Sequence, residues 1–207
     1  MKKNLWISLI LALQLPFFSS VSAQGRFNTY LFAGLNMCQI DGDAASSYSH
    51  PGPRVGIGIS FPVTKDLNSP WSMIVEVAYT NKGSHIAEYD RDLSITYIEL
   101  GLMMAYHTLD DRLRLAIGLA PAISVSTSVT NSGAVDLVSE DDFTDMDWLP
   151  LTASVCYRFT KHLSIEGRFQ YSALSITKPN VSGTYFISRS NKGCFHNLIG
   201  IGLSYSL

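Results

Sequence analysis

Apolar residues alternate with small or polar residues along much of this 207-residue chain. Such a period of two is typical of β-strands whose two faces meet different surroundings. The alternation is clear near the end of the chain, where Ile199, Ile201 and Leu203 are separated by Gly200 and Gly202. No stretch of the sequence has a helical period. The pattern predicts eight strands, at about 27–40, 54–63, 71–80, 93–107, 112–129, 148–159, 162–176 and 194–207.

The composition of the second strand face distinguishes a membrane barrel from a soluble sandwich. A sandwich hydrates its polar face, whereas a membrane barrel turns its apolar face to lipid and its polar face into the lumen. Here the polar faces hold mainly Gly, Ala and Ser, and Lys is almost absent. Small side chains suit a narrow lumen. We therefore expect an all-β, eight-stranded antiparallel up-and-down transmembrane β-barrel, closed by pairing of its first and last strands. A secreted β-sandwich is the alternative.

The predicted connections alternate in length. Compact links follow strands two, four and six, and longer links follow the other strands. The compact links are 64–70, 108–111 and 160–161, and the longer ones are 41–53, 81–92, 130–147 and 177–193. Short periplasmic turns and longer outer loops are typical of bacterial outer-membrane barrels. An even number of strands puts both ends of the barrel in the periplasm.

Residues 1–23 have the composition of a secretory signal peptide. Two lysines near the start of the chain precede an apolar stretch at 5–18. Small residues of the kind found before a cleavage site follow at 21–23. We expect cleavage before Gln24, export, and one barrel domain at 24–207 in the cell outer membrane. The expected partners are outer-membrane lipid and the barrel-assembly machinery. The formal net charge of −2 and the lack of a basic patch exclude nucleic acid as an expected partner.

Three stretches resemble the PorT-like outer-membrane β-barrel family of Bacteroidetes. They are GLNMCQIDGD at 34–43 followed by HPG at 50–52, VEVAYTNKGS at 75–84, and YIELGL at 97–102. The resemblance covers nearly the whole chain after the signal peptide and implies an eight-stranded outer-membrane barrel. It implies no single activity, because one fold serves many functions. A few members of the family take part in protein secretion across the envelope.

Charged residues on the predicted lumen face are the main candidates for a functional site. An eight-stranded barrel is filled by side chains rather than water. Buried charges must pair, because an isolated ion in a low dielectric is costly. We therefore expect a Glu–Arg network that plugs the lumen, with a gated pore or a proton path as the alternative. Its predicted members are Arg54, Glu76, Glu99, Arg112, Arg114, Arg158, Glu166 and Arg168.

Two of the three cysteines are candidates for a disulfide. Cys38 lies near the outer end of the first predicted strand, and Cys194 begins the last strand. These strands are neighbours across the closing seam, and the export route permits oxidation, so a bond is possible. Three independent thiols are the alternative. Cys156 is predicted to point into the lumen and to remain unpaired.

The sequence contains no recognisable metal site, cofactor site or catalytic motif. The acidic stretch 136–147 and Asp41-Gly42-Asp43 lack the spacing of a calcium loop. No nucleophile elbow is present, and the histidines lack metal-ligand spacing. A lipid-modifying enzyme would use a Ser/His pair at the barrel rim. The histidines divide into His107 and His162 on the periplasmic side and His50, His85 and His196 on the outer side.

The predicted function is therefore that of a non-enzymatic outer-membrane barrel without a cofactor or metal. Its outer loops or its wall would serve interaction or envelope integrity. A component linked to protein secretion or small-solute transport is the first alternative. A hydrolase or acyltransferase at the rim is the second.

Overall fold

The computed structural model describes residues 27–42, 47–64, 69–86, 91–108, 111–131, 140–178 and 193–207. The predicted signal peptide lies outside these ranges. Within them, a 3-10 helix at Glu140–Asp142 is the single helical element, and no helix is long and apolar enough to cross a membrane.

Ten β-strands in the described residues form one antiparallel sheet that closes on itself. The wall runs β3-β2-β1-β10-β9-β8-β5-β4, and β4 pairs with β3. Because β6 continues β5 and β7 continues β8, the wall has eight positions, as the alternation predicts. The strands are β1 Asn28–Asp41, β2 His50–Pro62, β3 Trp71–Ile86, β4 Arg91–His107, β5 Leu113–Leu119, β6 Ala122–Asn131, β7 Met146–Asp147, β8 Pro150–Arg158, β9 Leu163–Ser172 and β10 Phe195–Ser206.

The first and last strands close the barrel as predicted. Strand β1 pairs with β10 from Tyr30 opposite Ser206 to Asp41 opposite Phe195. This pairing leaves neither strand with an open edge, because β1 also pairs with β2 and β10 with β9. The end of the barrel where β1 begins and β10 ends is the predicted periplasmic end.

The two faces of the wall differ as a membrane barrel requires. On β9, Ile165 and Phe169 are exposed on the outside, whereas Glu166, Arg168 and Gln170 are buried inside. The same alternation runs along β1, β2, β8 and β10. An apolar outside and a polar inside are the reverse of a soluble sandwich. The prediction of a membrane barrel is confirmed, and the sandwich alternative is wrong.

The predicted fifth strand is interrupted at Ala120 and Pro121, which separate β5 from β6. Proline has no backbone N–H to donate to a ladder. The wall stays continuous because Ala120 N–H donates to the Pro150 carbonyl and Leu100 N–H donates to the Pro121 carbonyl, both at 2.9 Å. The register between β4 and β6 shifts beside Thr96 and Tyr97.

The prediction of a long loop at 81–92 is wrong. Strand β3 continues to Ile86 and strand β4 begins at Arg91, so this outer connection spans only 87–90. The polar stretch after Thr80 has the composition of a loop, but its side chains at 82, 84 and 86 are buried inside the extended barrel.

Buried apolar side chains fill both ends of the lumen. The periplasmic apolar cluster consists of Tyr30, Phe32, Ile74, Ala78, Met103, Ala105 and Ala116. The outer apolar cluster consists of Ile40, Ile86, Leu93, Ile95, Tyr97, Ala122, Phe143, Ile176 and Cys194. Buried charged side chains occupy the space between and beside these clusters.

Candidate functional site in the barrel lumen

Glu76 on β3 is the centre of the charged layer. Its Oε2 accepts hydrogen bonds from Arg54 Nη2 at 2.6 Å and from Arg168 Nη2 at 2.5 Å. Its Oε1 accepts a third bond from the Tyr30 hydroxyl at 2.8 Å. The carboxylate is buried, and charge-assisted hydrogen bonds of this kind are the strong ones in proteins. Glu76 therefore has its charge and both of its oxygens satisfied without water.

Arg168 on β9 joins three carboxylates. Besides Glu76, its Nε donates to Glu166 Oε1 at 3.0 Å, and its Nη1 lies 3.9 Å from Glu99 Oε1. Arg54 adds a longer contact of 3.9 Å to Glu166. The planar guanidinium carries five N–H groups in a fixed fork, so one arginine can bridge acids on several strands. Arg168 thereby connects strands β3, β4 and β9.

Lys82 extends the layer toward the outer end. Its ammonium is fully buried, 3.0 Å from Glu99 Oε2 and 4.0 Å from Asp147 Oδ2. Glu99 also accepts a bond from Gln170 Nε2 at 3.1 Å, and Asp147 accepts one from the Ser172 hydroxyl at 2.5 Å. Lys82 Nζ lies 5.3 Å from the centre of the Tyr97 ring, within the range of a cation–π interaction.

Arg114 extends the layer toward the periplasmic end. Its Nη2 lies 3.5 Å from Glu166 Oε2, and its guanidinium carbon lies 5.3 Å from the centre of the Tyr30 ring. Arg54 similarly lies 4.1 Å over the Phe32 ring. The aromatic side chains of β1 therefore cover cations that the carboxylates do not fully enclose.

The network has equal numbers of cations and anions. Four basic and four acidic side chains are joined by contacts of 4.0 Å or less. Removing one member of a buried pair leaves an uncompensated charge and costs about 3–5 kcal/mol. A balanced, interlocked set is therefore sensitive to the loss of any single member. Its members are Arg54, Lys82, Arg114 and Arg168 with Glu76, Glu99, Asp147 and Glu166.

The structure brings together six of the eight residues predicted for this network and leaves two outside it. Arg112 is exposed and comes directly before β5 in the chain. Arg158 Nη2 lies 2.9 Å from Asp111 Oδ2 and also donates to the Asp111 carbonyl. Both arginines lie at the periplasmic end. There Arg112 faces solvent, and Arg158 contacts the turn residue Asp111 instead of a buried acid. Lys82 and Asp147 were missed because both lie in stretches predicted to be loops.

Cys38 and Cys194, the pair for which the sequence leaves a disulfide possible, are not bonded in the structure, and all three cysteines are thiols. The register between β1 and β10 keeps the two thiols apart. Cys38 pairs with Leu198, and Leu198 follows Cys194 by four residues. Four residues of strand span about 13 Å. A disulfide needs Cα atoms within about 7 Å. Cys156 points into the lumen and is buried, as its position in the sixth strand predicts.

Polar clusters at the two barrel ends involve histidines. At the outer end, His50 Nδ1 lies 3.2 Å from Asp92 Oδ1, and its Nε2 lies 2.8 Å from Asn81 Oδ1. At the periplasmic end, His107 lies between Ser72 and Asp111. In the part of the chain that the structure describes, no group of three His, Cys, Asp or Glu side chains has metal-site geometry. Asp43 and Asp136 lie outside that part.

A closed antiparallel barrel with an apolar outside and a charged, filled lumen defines an outer-membrane β-barrel protein. The sequence at 18–177 matches the family described as "Outer membrane protein beta-barrel domain". The chain belongs to this family, and its location is the outer membrane.

Solved structures of outer-membrane proteins are similar to this chain at low sequence identity. Neisserial surface protein A has a TM-score of 0.52 and 14% identity, over 86% of this chain and 97% of that one. The attachment invasion locus protein Ail of Yersinia pestis has a TM-score of 0.48 and 12% identity, over 88% and 100%. The N-terminal β-barrel domain of Pseudomonas aeruginosa OprF has a TM-score of 0.42 and 11% identity, over 88% and 100%. Among curated proteins, no sequence matches this chain.

Proposed function

We propose that this protein is a sealed outer-membrane barrel that serves envelope integrity or interaction through its wall and outer loops. The balanced charge network carries this proposal. Its charged side chains pair with one another across the lumen, and apolar clusters lie on both sides of it. An ion entering this layer would have to break several charge-assisted bonds at once, whereas a conducting pore offers water or weak, multiple sites.

We further propose that residues 1–23 direct export, that the barrel-assembly machinery inserts the chain, and that outer-membrane lipid surrounds it. The PorT-like resemblance at 34–43 and 75–84 supports a place among those barrels. The membrane-spanning middle is a non-enzymatic plug, because its carboxylates and guanidinium groups are engaged with each other. Nucleic acid is not a partner, since the charge of the chain is slightly negative.

Conductance in planar bilayers tests the seal. We expect refolded full-length protein to produce no steady channel, while a large porin inserted under the same conditions conducts. A steady open channel from the wild-type protein would refute the sealed lumen and favour the small-solute transport alternative.

Loss of the gene in its host tests the envelope role. We expect the null strain to become more sensitive to detergents and to large hydrophobic antibiotics, and a wild-type copy to restore resistance. Unchanged sensitivity combined with a defect in protein export would instead support the secretion-linked alternative.

A further inference from the structure

The periplasmic mouth of the barrel contains a hydrogen-bonded Ser–His–Asp chain. Ser72 lies at the start of β3, His107 ends β4, and Asp111 lies in the turn before β5. Ser72 Oγ is 2.7 Å from His107 Nε2, and His107 Nδ1 is 2.9 Å from Asp111 Oδ1. Both distances are those of hydrogen bonds. A hydroxyl, an imidazole and a carboxylate in this order can act as nucleophile, general base and orienting group.

The β4–β5 turn holds the carboxylate in place. Asp111 has a φ of 52°, the single left-handed conformation among the described non-glycine residues, and aspartate tolerates it in turns. Its N–H donates to the Thr108 carbonyl at 2.8 Å, and Arg158 Nη2 lies 2.9 Å from its Oδ2. Asp111 Oδ1 therefore remains directed at His107.

The direction of the hydrogen bonds suits proton removal from Ser72. A hydroxyl has one hydrogen to donate, and Ser72 Oγ already accepts a bond from the Ser60 hydroxyl at 3.3 Å. The Ser72 hydrogen therefore points to His107 Nε2, which is the acceptor when Nδ1–H donates to Asp111. The other described histidine rings differ. His50 contacts Asp92 and Asn81, and His162 contacts the Ser206 carbonyl.

A cavity of about 270 Å³ at the mouth is lined by all three residues. Arg114, Arg158 and Lys161 line the same cavity and make it electropositive. Arg114 Nε is buried and makes no hydrogen bond to the described residues. The volume is slightly below the range of about 300–1,000 Å³ that is usual for ligand pockets. The site therefore fits a small molecule that carries negative charge.

We propose that Ser72, His107 and Asp111 form a hydrolytic centre for small anionic carboxylic esters. Ser72 Oγ bonds to the ester carbonyl carbon while His107 Nε2 takes the hydroxyl proton, and the Arg114 guanidinium faces the developing oxyanion. The bond to the alcohol oxygen then breaks, and His107 returns the proton to the leaving alcohol. Water attacks the acyl-Ser72 ester in the same way, releasing the acid and restoring the Ser72 hydroxyl. This activity goes beyond the proposed function, and of the charge network it uses Arg114.

A fluorophosphonate probe tests the nucleophile on the refolded full-length protein. Attack forms a bond between Ser72 Oγ and phosphorus and releases fluoride. We expect mass spectrometry to locate the label on Ser72, Ser72→Ala to remain unlabelled, and His107→Gln to react at least about 100-fold more slowly. Ser164→Ala removes a neighbouring lumen hydroxyl outside the centre and should react like the wild type.

Ester turnover tests the substrate class. We expect the wild type to hydrolyse p-nitrophenyl hemisuccinate in preference to p-nitrophenyl acetate, and Lys161→Met to weaken that preference. If Ser72→Ala does not fold, Ser72→Cys keeps the shape, and its alkylation by iodoacetamide should slow in the His107→Gln background. Absence of labelling on folded wild type, or equal labelling of wild type and His107→Gln, would overturn the centre. Neither result would affect the sealed lumen, which conductance tests separately.

Discussion

Glu76 Oε2 and Arg168 Nη2 lie 2.5 Å apart, although these residues are 92 positions apart in the sequence. Strands β3 and β9 are four positions apart around an eight-position wall, so this ion pair crosses the full width of the lumen. It ties opposite sides of the barrel directly, whereas the backbone ladder ties only neighbouring strands. The stability of the barrel therefore depends on the charge layer as well as on the sheet.

Replacing the central carboxylate should destabilise the barrel strongly. In Glu76→Gln the shape is kept, but Arg54 and Arg168 lose the charge that both contact. We expect the free energy of unfolding to fall by about 3–5 kcal/mol, the cost of breaking a buried pair. Urea unfolding of refolded protein, followed by tryptophan fluorescence, measures this change. The exposed Asp145→Asn serves as the control and should lie within about 0.5 kcal/mol of the wild type.

Replacing Lys82 alone should destabilise the barrel more than replacing it together with one of the acids that it contacts. Lys82→Met leaves Glu99 and Asp147 as two buried acids without their shared cation. We expect a loss of about 3–5 kcal/mol for this single change. The double variant Lys82→Met/Asp147→Asn removes one charge of each sign and should recover a substantial part of the loss. Additive losses in the double-mutant cycle would mean that these side chains do not act as one network.

Lumen glycines next to aromatic rings should not accept a methyl group. A Cβ on Gly58 would lie 2.6 Å from both the hydroxyl oxygen and Cε2 of Tyr30, and closer still to its Cζ. Gly58→Ala would displace the ring that donates to Glu76, and we expect a loss of about 1–3 kcal/mol from overpacking. Gly167→Ala is the matched control, because no heavy atom lies within 4 Å of its Cβ position. If both variants unfold at the same urea concentration, the lumen is less tightly filled than the structure indicates.

The cysteines should be unreactive in the folded barrel and fully reactive after unfolding. Cys38 and Cys194 are both fully buried, and Cys156 is nearly so. We expect a maleimide to add to none of them in the folded state and to all three in denaturant without reductant, as measured by intact mass. A single addition in denaturant would reveal a disulfide and contradict the separation that the β1–β10 register imposes.

Strand positions and the lumen face follow from the sequence because one side of each strand meets lipid. A period of two is easily recognised where apolar residues such as Ile57 and Ile59 alternate with Gly56 and Gly58. The signal fails where the barrel extends beyond the apolar band. Lys82 and Asp147 lie there, and polar residues in such a stretch have the composition of a loop even when they are buried.

Contacts between side chains on different strands follow only from the three-dimensional register. Ser72 pairs with Ala105, and His107 lies two residues further along the same face of β4, which brings its ring to the serine. No sequence motif records this relationship, because the two residues lie on different strands. For the same reason the sequence identifies six of the charged members of the lumen network without identifying their partners.

The seam between β1 and β10 determines when this barrel can fold. Strand β1 precedes all the other described strands in the chain and β10 follows them, yet each is the other's neighbour along twelve paired residues. Until β10 is in place the edge of β1 stays open, and such an edge readily pairs with other chains. If the strands paired one after another, the hydrogen-bonded wall would remain open at β1 until β10 was in place. Closure of the barrel therefore waits for the pairing of β1 with β10.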